Sequence, residues 1–317
     1  MNVRQVIPRD AIPSIDEPTF GIERVGDPDD EVVVVEASSP KAYPVRVLDY
    51  HEIVNDTVDG DPIAVTWCPL CGSAVVYDRT VDDRTLEFGV SGKLADDDLV
   101  MYDRETGSEW KQSSGECIDG PLRGWELRVR PAAVLSLKSF RERYRDGLVL
   151  QPPENATSEA ASDGDEPAPI DYNEAPYAGY FESDGFGLAA HRGTDDERSW
   201  DHADFGPKTV VLGLEIGSEA RGFPLPRVES EGGVVHETVG GTDIVVLATG
   251  EGIHAFENPG FEFERTDDGT IRADGTAWDA ATGSAADGRR LERLPARRLF
   301  AFAWRDDHGV DSFYGQP

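Results

Sequence analysis

The stretch Ile63-Ala64-Val65-Thr66-Trp67-Cys68-Pro69-Leu70-Cys71-Gly72-Ser73-Ala74-Val75-Val76-Tyr77-Asp78 reads as strand, corner, strand. β-branched and aromatic residues fill Ile63–Trp67 and Ala74–Asp78, and Pro69 and Gly72 interrupt the chain between them. Similar short runs occur at Glu31–Ala37 (EVVVVEA), Leu86–Val90, Leu99–Tyr102 and Glu126–Val129, punctuated by Gly, Asp and Pro. One helix is expected over Val134–Tyr144, where Val134, Leu135, Leu137, Phe140 and Tyr144 share a face, with Gly147 placed to end it. The expected fold is mainly β with few short helices.

Working outward, the pattern recurs. Tyr43-Pro44-Val45 matches Phe223-Pro224-Leu225 at an offset of 180, and Thr57-Val58-Asp59-Gly60 matches Thr238-Val239-Gly240-Gly241 at 181. Ile63-Ala64-Val65 then matches Ile244-Val245-Val246 at 181, and Tyr102-Asp103 with Thr106-Gly107-Ser108 matches Trp278-Asp279 with Thr282-Gly283-Ser284 at 176. Ordered matches at a nearly constant offset point to an internal duplication. The expectation is two tandem homologous β lobes, each a small barrel or sandwich, at residues 1–150 and 172–317. An acidic Pro/Ser/Ala-rich linker at 151–171 joins them, and Asp195–Asp204 reads as a further polar loop.

Composition narrows the function classes. The 317 residues carry 62 acidic against 30 basic side chains, a net charge of −32, with Lys scarce and the acids spread along the whole chain. Regular apolar runs argue against disorder, so the acidity reads as adaptation to high salt and points to a haloarchaeal source. A nucleic-acid partner or an anionic membrane surface needs a basic face that this chain lacks. No apolar run approaches the roughly 20 residues of a membrane helix, and the opening residues show no signal-peptide pattern, so a cytoplasmic location is expected.

The motifs I-P-R-D-A-I-P (Ile7–Pro13), P-T-F (Pro18–Phe20), A-Y-P-V-R-V-L-D-Y-H-E-I-V-N-D-T-V (Ala42–Val58), T-W-C-P-L-C-G-S-A (Thr66–Ala74), F-G-V-S-G (Phe88–Gly92), M-Y-D-R-E-T-G-S-E-W (Met101–Trp110) and G-P-L-R-G (Gly120–Gly124) resemble the family of domain of unknown function 3179. P-Y-A-G-Y-F at Pro176–Phe181 resembles its C-terminal part, so the likeness spans nearly the whole chain. The resemblance implies no activity. It implies exported or lipid-anchored relatives, and a small residue where this chain has Cys117.

Features confined to the first half are the candidates for function: His51, Cys68, Cys71, Arg79, Met101, Trp110 and Cys117. A C-x-x-C corner brings two thiols close enough to share a metal or to close a disulfide. No second C-x-x-C exists, so His51 and Cys117 are the residues that would complete a four-ligand site. Soft thiolates with imidazole favour Zn or Cu. Set against this, both cysteines serve equally well as small core side chains. His51 beside Glu52 reads as a ligand, or as the cap of a helix end. Arg79 and Arg104, each after an Asp, read as an anion site or as internal ion pairs. Trp67, Trp110 and Met101 line a small-ligand pocket or fill the core. Asp96-Asp97-Asp98 offers oxygen ligands for Ca²⁺ or Mg²⁺, though in so acidic a chain the run reads first as a solvated loop. Three function classes follow: a metal- or thiol-dependent site in the first half with a structural second half, a non-catalytic binding module with core cysteines, and a thiol-disulfide oxidoreductase.

The charge reading carries a direct expectation. Screening relieves self-repulsion at net −32, so the thermal unfolding midpoint rises as KCl goes from tens of millimolar into the molar range. A midpoint that is flat or falls over that range contradicts it.

Overall fold

The computed structural model describes residues 1–23, 25–162, 166–194 and 198–315. The quoted stretch forms a hairpin, Asp61–Cys68 against Ser73–Asp78, with Cys68 opposite Ser73 and Trp67 opposite Ala74. Ile53–Val58 pairs on the other side of Asp61–Cys68. These strands are rich in β-branched residues and almost wholly buried, as a strand covered on both faces requires.

The sheet does not stop at the first half. Arg298 of the strand Arg297–Phe300 pairs with Ala74, and the sheet continues into Val210–Ile216 and Glu219–Pro224, six strands in all. The two halves therefore share one sheet and do not close into separate lobes. One apolar cluster likewise joins Cys68, Cys71, Val75 and Met101 to Tyr180, Leu188, Phe300 and Trp304.

The sequence matches fall on equivalent places in the element order. Each aromatic-Pro pair ends a strand and enters a short helix, Val45–His51 and Leu225–Ser230. Ile63–Val65 and Ile244–Val246 both lie in the middle strand of an antiparallel meander. Asp103 and Asp279 close the same turn, their Oδ1 atoms accepting from the backbone N–H of Thr106 (2.6 Å) and Thr282 (2.9 Å). The hairpins differ at their tips. Residues 69–72 connect Cys68 to Ser73, whereas residues 250–251 suffice between Thr249 and Gly252.

Two expected elements change. The helix expected over Val134–Tyr144 is split: Ala133–Ser136 is a strand paired with Glu31–Val34, and only Leu137–Arg143 is helical. The valine-rich partner strand captures the first residues, and the Ser136 side chain accepts from Ser139 N at 3.1 Å, which fixes the helix start there. Glu126–Val129 forms only isolated bridges, to Glu116 and Tyr77. The stretch expected as a linker carries a short paired ladder, Thr157–Ser158 with Ala168–Pro169, and Glu159 N donates to Ala11 O at 2.8 Å. Its residues 163–165, and 195–197 of the expected polar loop, lie outside the described residues.

A paired glycine notch seats the last helix. Gly213 and Gly222 face each other across the sheet, and a Cβ on either would come within 2.2 or 2.3 Å of Trp304 on the helix Ala301–His308. That helix also carries Asp307 toward the first half, where it pairs with Lys111. Gly213→Ala is expected to destabilise the fold by about 1–3 kcal/mol through overpacking. Denaturant unfolding in molar KCl checks this, and an unchanged midpoint would show that the notch does not hold the helix.

Candidate metal centre

The buried corner at Pro69–Gly72 needs partners for its carbonyl oxygens. Gly72 N–H donates to Pro69 O at 3.3 Å within the turn. The others are met from far along the chain. The Tyr180 hydroxyl donates to Leu70 O at 2.6 Å, Phe300 N–H to Cys71 O at 2.7 Å, and the Arg298 guanidinium to Gly72 O at 2.9 Å. Gly72 has φ +52°, and a Cβ there would come within 2.6 Å of the Phe300 ring, so only glycine fits both demands.

This corner points both sulfurs inward. Cys68 and Cys71 are free thiols with 1% and 0% exposure. Their ligand atoms lie within 4.8 Å of each other and of an Asp98 carboxylate oxygen. A tetrahedral ion with bonds of about 2.0–2.3 Å spaces its ligands by about 3.4–3.8 Å, so small adjustments would let these three residues hold a metal ion. Burial pushes both thiols and the Asp98 carboxyl above their usual ranges.

Asp98 sits in a buried polar layer under the corner. Its Oδ2 accepts from Ser113 N at 2.8 Å, and its Oδ1 finds no hydrogen-bond partner among the described residues. Ser73 Oγ and Gln112 Oε1 are buried and equally unpartnered. Lys111 is ion-paired with Asp307, whose other oxygen accepts from Ser113 Oγ at 2.6 Å. Burial opposes the Lys111 charge, but Asp307 and Asp98 outweigh it and hold its ammonium above the ordinary range.

The residues singled out in the sequence separate here. His51 and Cys117 do not join the sulfur–carboxylate group. His51 ends the helix Val45–His51, and both ring nitrogens are engaged, Nδ1 with Pro13 O at 2.8 Å and Nε2 with the Tyr172 hydroxyl at 2.6 Å. Glu52, not His51, caps this helix, and the His51 ring ties the helix end to Pro13 and Tyr172. Cys117 pairs opposite Trp110 on another sheet, its thiol donating to Asp119 O at 3.3 Å. Arg79 donates to the carbonyls of Ile63, Leu86 and Asp56 at 2.9, 2.6 and 3.1 Å, stitching strands rather than binding an anion. Arg104 ties Tyr102, Ser14, Asp16 and Glu87 together. Met101 is core, while Trp67 and Trp110 bury their indoles with N–H groups on Asp49 (2.8 Å) and Asp103 (3.0 Å). None of these five lines the cavity that touches Cys68.

Sequence reasoning missed Asp98, read as part of a solvated acidic run. Asp97 and Asp98 are 7% and 2% exposed. Asp96 and Asp97 form a tight turn at φ +52° and +72°, and Asp98 starts the strand Asp98–Asp103. Nothing in the sequence separates Asp98 from Asp96 and Asp97; the strand it starts and the packing over it set its burial.

A model of the family described as protein of unknown function (DUF3179) matches residues 9–311. The chain belongs to that family. No curated protein and no solved structure matches it. In this DUF3179 chain the family-like motifs around the corner have visible physical tasks: T-W-C-P-L-C-G-S-A builds it, and Tyr180 of P-Y-A-G-Y-F holds the Leu70 carbonyl. No helix among the described residues is long and apolar enough to cross a membrane.

His51 yields a pH test. Burial lowers its pKa from 6.5 to about 4, against the hydrogen bond to Pro13, which raises it. Between those values the unfolded chain binds more protons, so this residue's contribution to stability is lost as pH falls from about 6.5 to 4, by at most about 3 kcal/mol. Asp49 and Glu52, raised by burial to about 7 and about 8, change stability in the opposite sense, so the readout is the difference between wild type and His51→Gln. The wild-type advantage should shrink toward pH 4, as followed by urea unfolding. A difference independent of pH would refute it.

Proposed function

We propose that this chain is a metal-binding protein whose ion, Zn(II) or copper, is held by Cys68, Cys71 and Asp98, with the second half as scaffold. The observation that carries this is the convergence of two sulfurs and a carboxylate oxygen within 4.8 Å, all buried, with Asp98 Oδ1 unpartnered among the described residues. Burying such a group without compensation is costly, and a cation against thiolates and carboxylate supplies the compensation. Two thiolates favour Zn or Cu(I) over Mg or Ca. Three protein ligands leave a coordination position for a small ligand.

The scaffold role rests on the corner's partners. Tyr180, Arg298 and Phe300 all belong to the second half, whose own equivalent hairpin carries no cysteine. A thiol-disulfide function is the second reading. The proximity of the Cys68 and Cys71 sulfurs favours it, while burial, which disfavours the reactive thiolate, opposes it.

Protein purified in molar KCl without chelator should contain about one equivalent of transition metal. Cys68→Ser and Asp98→Asn should each lower metal affinity by at least about ten-fold, comparable to losing a supporting interaction at known metal sites. His51→Gln and Cys117→Ser should leave it unchanged. Affinity should also fall as pH falls, because the ligands must lose protons. Absence of metal with three free thiols in denaturant supports core cysteines instead. Reversible loss of two thiols, restored by dithiol, supports the redox reading.

A further inference from the structure

A cavity of about 110 Å³ lies against Cys68 on the face of the corner turned toward the chain's N-terminal segment. Its walls come from three separate parts of the chain. Val6, Ile7 and Ile12 form one side, Val90, Leu94 and Leu99 another, and Tyr177 and Leu188 the third. His191 and Arg192 stand at its exposed mouth. Besides the Cys68 thiol and the Tyr177 phenol, a carboxyl group lies in its buried part. Glu52 is 7% exposed, lines the cavity, and has a buried Oε2 with no hydrogen-bond partner among the described residues.

The placement of Glu52 is itself constrained. It caps the helix Val45–His51, its N–H donating to Leu48 O at 2.7 Å, and its own carbonyl accepts from Trp67 N at 2.7 Å. It does this at φ +56°, a region that side chains other than glycine rarely adopt. A carboxyl held in that way, at the end of an apolar cavity and without a partner, is a poor element of a core. A buried polar group left unpaired costs about 1–3 kcal/mol. It is a good element of a binding site, where a small number of polar groups in an apolar lining fix a ligand's orientation.

We propose that this cavity binds a small, uncharged, mainly apolar molecule bearing one hydroxyl or amide group, which Glu52 engages while the hydrocarbon part lies among Ile7, Ile12, Leu94, Leu99 and Leu188. The size limit follows from the volume. An apolar cavity of about 150 Å³ accommodates a benzene-sized molecule, so about four to five heavy atoms are enclosed here and the rest of a ligand of up to about seven extends toward the mouth at His191 and Arg192. Lys93 and Arg192 line the cavity too, but Lys93 is paired with Glu109 and Arg192 stands at the exposed mouth, so a permanently anionic ligand would meet Glu52 at the buried end, and an ammonium ion would have to leave water for mostly hydrocarbon walls. A hydroxyl or amide both donates and accepts, and so satisfies Glu52 in either protonation state. Glu52 and the apolar walls are not among the proposed metal ligands, so this inference stands apart from the metal reading.

The test uses the full chain in molar KCl, with metal content measured in every sample and both metal-depleted and metal-supplemented protein titrated. Phenol is the probe, followed by calorimetry or by NMR shifts, with toluene, butyrate and butylammonium as comparisons. Phenol should bind saturably at one site and about 2- to 10-fold more tightly than toluene, the value of one net hydrogen bond. Glu52→Met should remove that preference, and Leu94→Trp, at a half-buried wall position, should abolish binding by filling the space. If Leu94→Trp fails to fold, the change in preference on Glu52→Met decides. No saturable phenol binding would overturn the proposal. So would a phenol preference that survives Glu52→Met, or tighter binding of butyrate or butylammonium. Protein that binds phenol in this way but takes up no metal would count against the metal reading alone.

Discussion

A backbone that turns four residues inside a protein must find partners for its carbonyl oxygens, because water cannot serve them. At Pro69–Gly72 those partners are the Tyr180 hydroxyl, the Phe300 N–H and the Arg298 guanidinium. Tyr180 is 110 positions from its acceptor and Arg298 is 226 positions from its own. Leaving any one of these carbonyls bare would cost on the order of 1–3 kcal/mol, a large share of a typical folding free energy. The cysteine corner can exist in this form only because the second half closes over it. The shared sheet, the common apolar cluster and the C-terminal helix all follow from that closure.

The same closure creates the chemistry. Once the corner is sealed, Cys68, Cys71 and Asp98 lie in a medium that penalises charge, and their protons are held more tightly than in water. Lys111 and Asp307 bring one ion pair to the layer beneath, and Asp307 arrives on a helix whose seat is the Gly213–Gly222 notch. Unpartnered oxygens on Asp98, Ser73 and Gln112 gather on this side of the corner, and one on Glu52 faces the apolar cavity next to Cys68. Two different environments, one polar and one greasy, therefore meet at a single cysteine. A site that holds an ion and admits a small molecule beside it needs that arrangement.

The strands were legible wherever a β-branched run was bounded by turn residues, as at Ile63–Trp67 and Ala74–Asp78, which became Asp61–Cys68 and Ser73–Asp78. The helix over Val134–Tyr144 was half right, because its apolar spacing suits a strand as well as a helix and the partner strand Glu31–Val35 settled the matter. Cys68 and Cys71 stood out because the matching hairpin lacks them. His51 stood out for the same reason and was misleading, since a histidine at a helix end with both nitrogens bonded has no lone pair left to give. Asp98 could not be distinguished in sequence from its two acidic neighbours.

From its sequence alone this protein is mainly β, strongly acidic, built with a recurring order of elements, and equipped with a paired-cysteine corner in one half only. Those properties are local: alternation, turn chemistry, net charge and residue spacing depend on neighbours along the chain. Which carboxylate joins the sulfurs, which histidine does not, and where a cavity opens beside them are set by contacts between residues tens to hundreds of positions apart. Only the tertiary structure decides those, because burial and hydrogen-bond closure depend on what the rest of the chain packs against the corner.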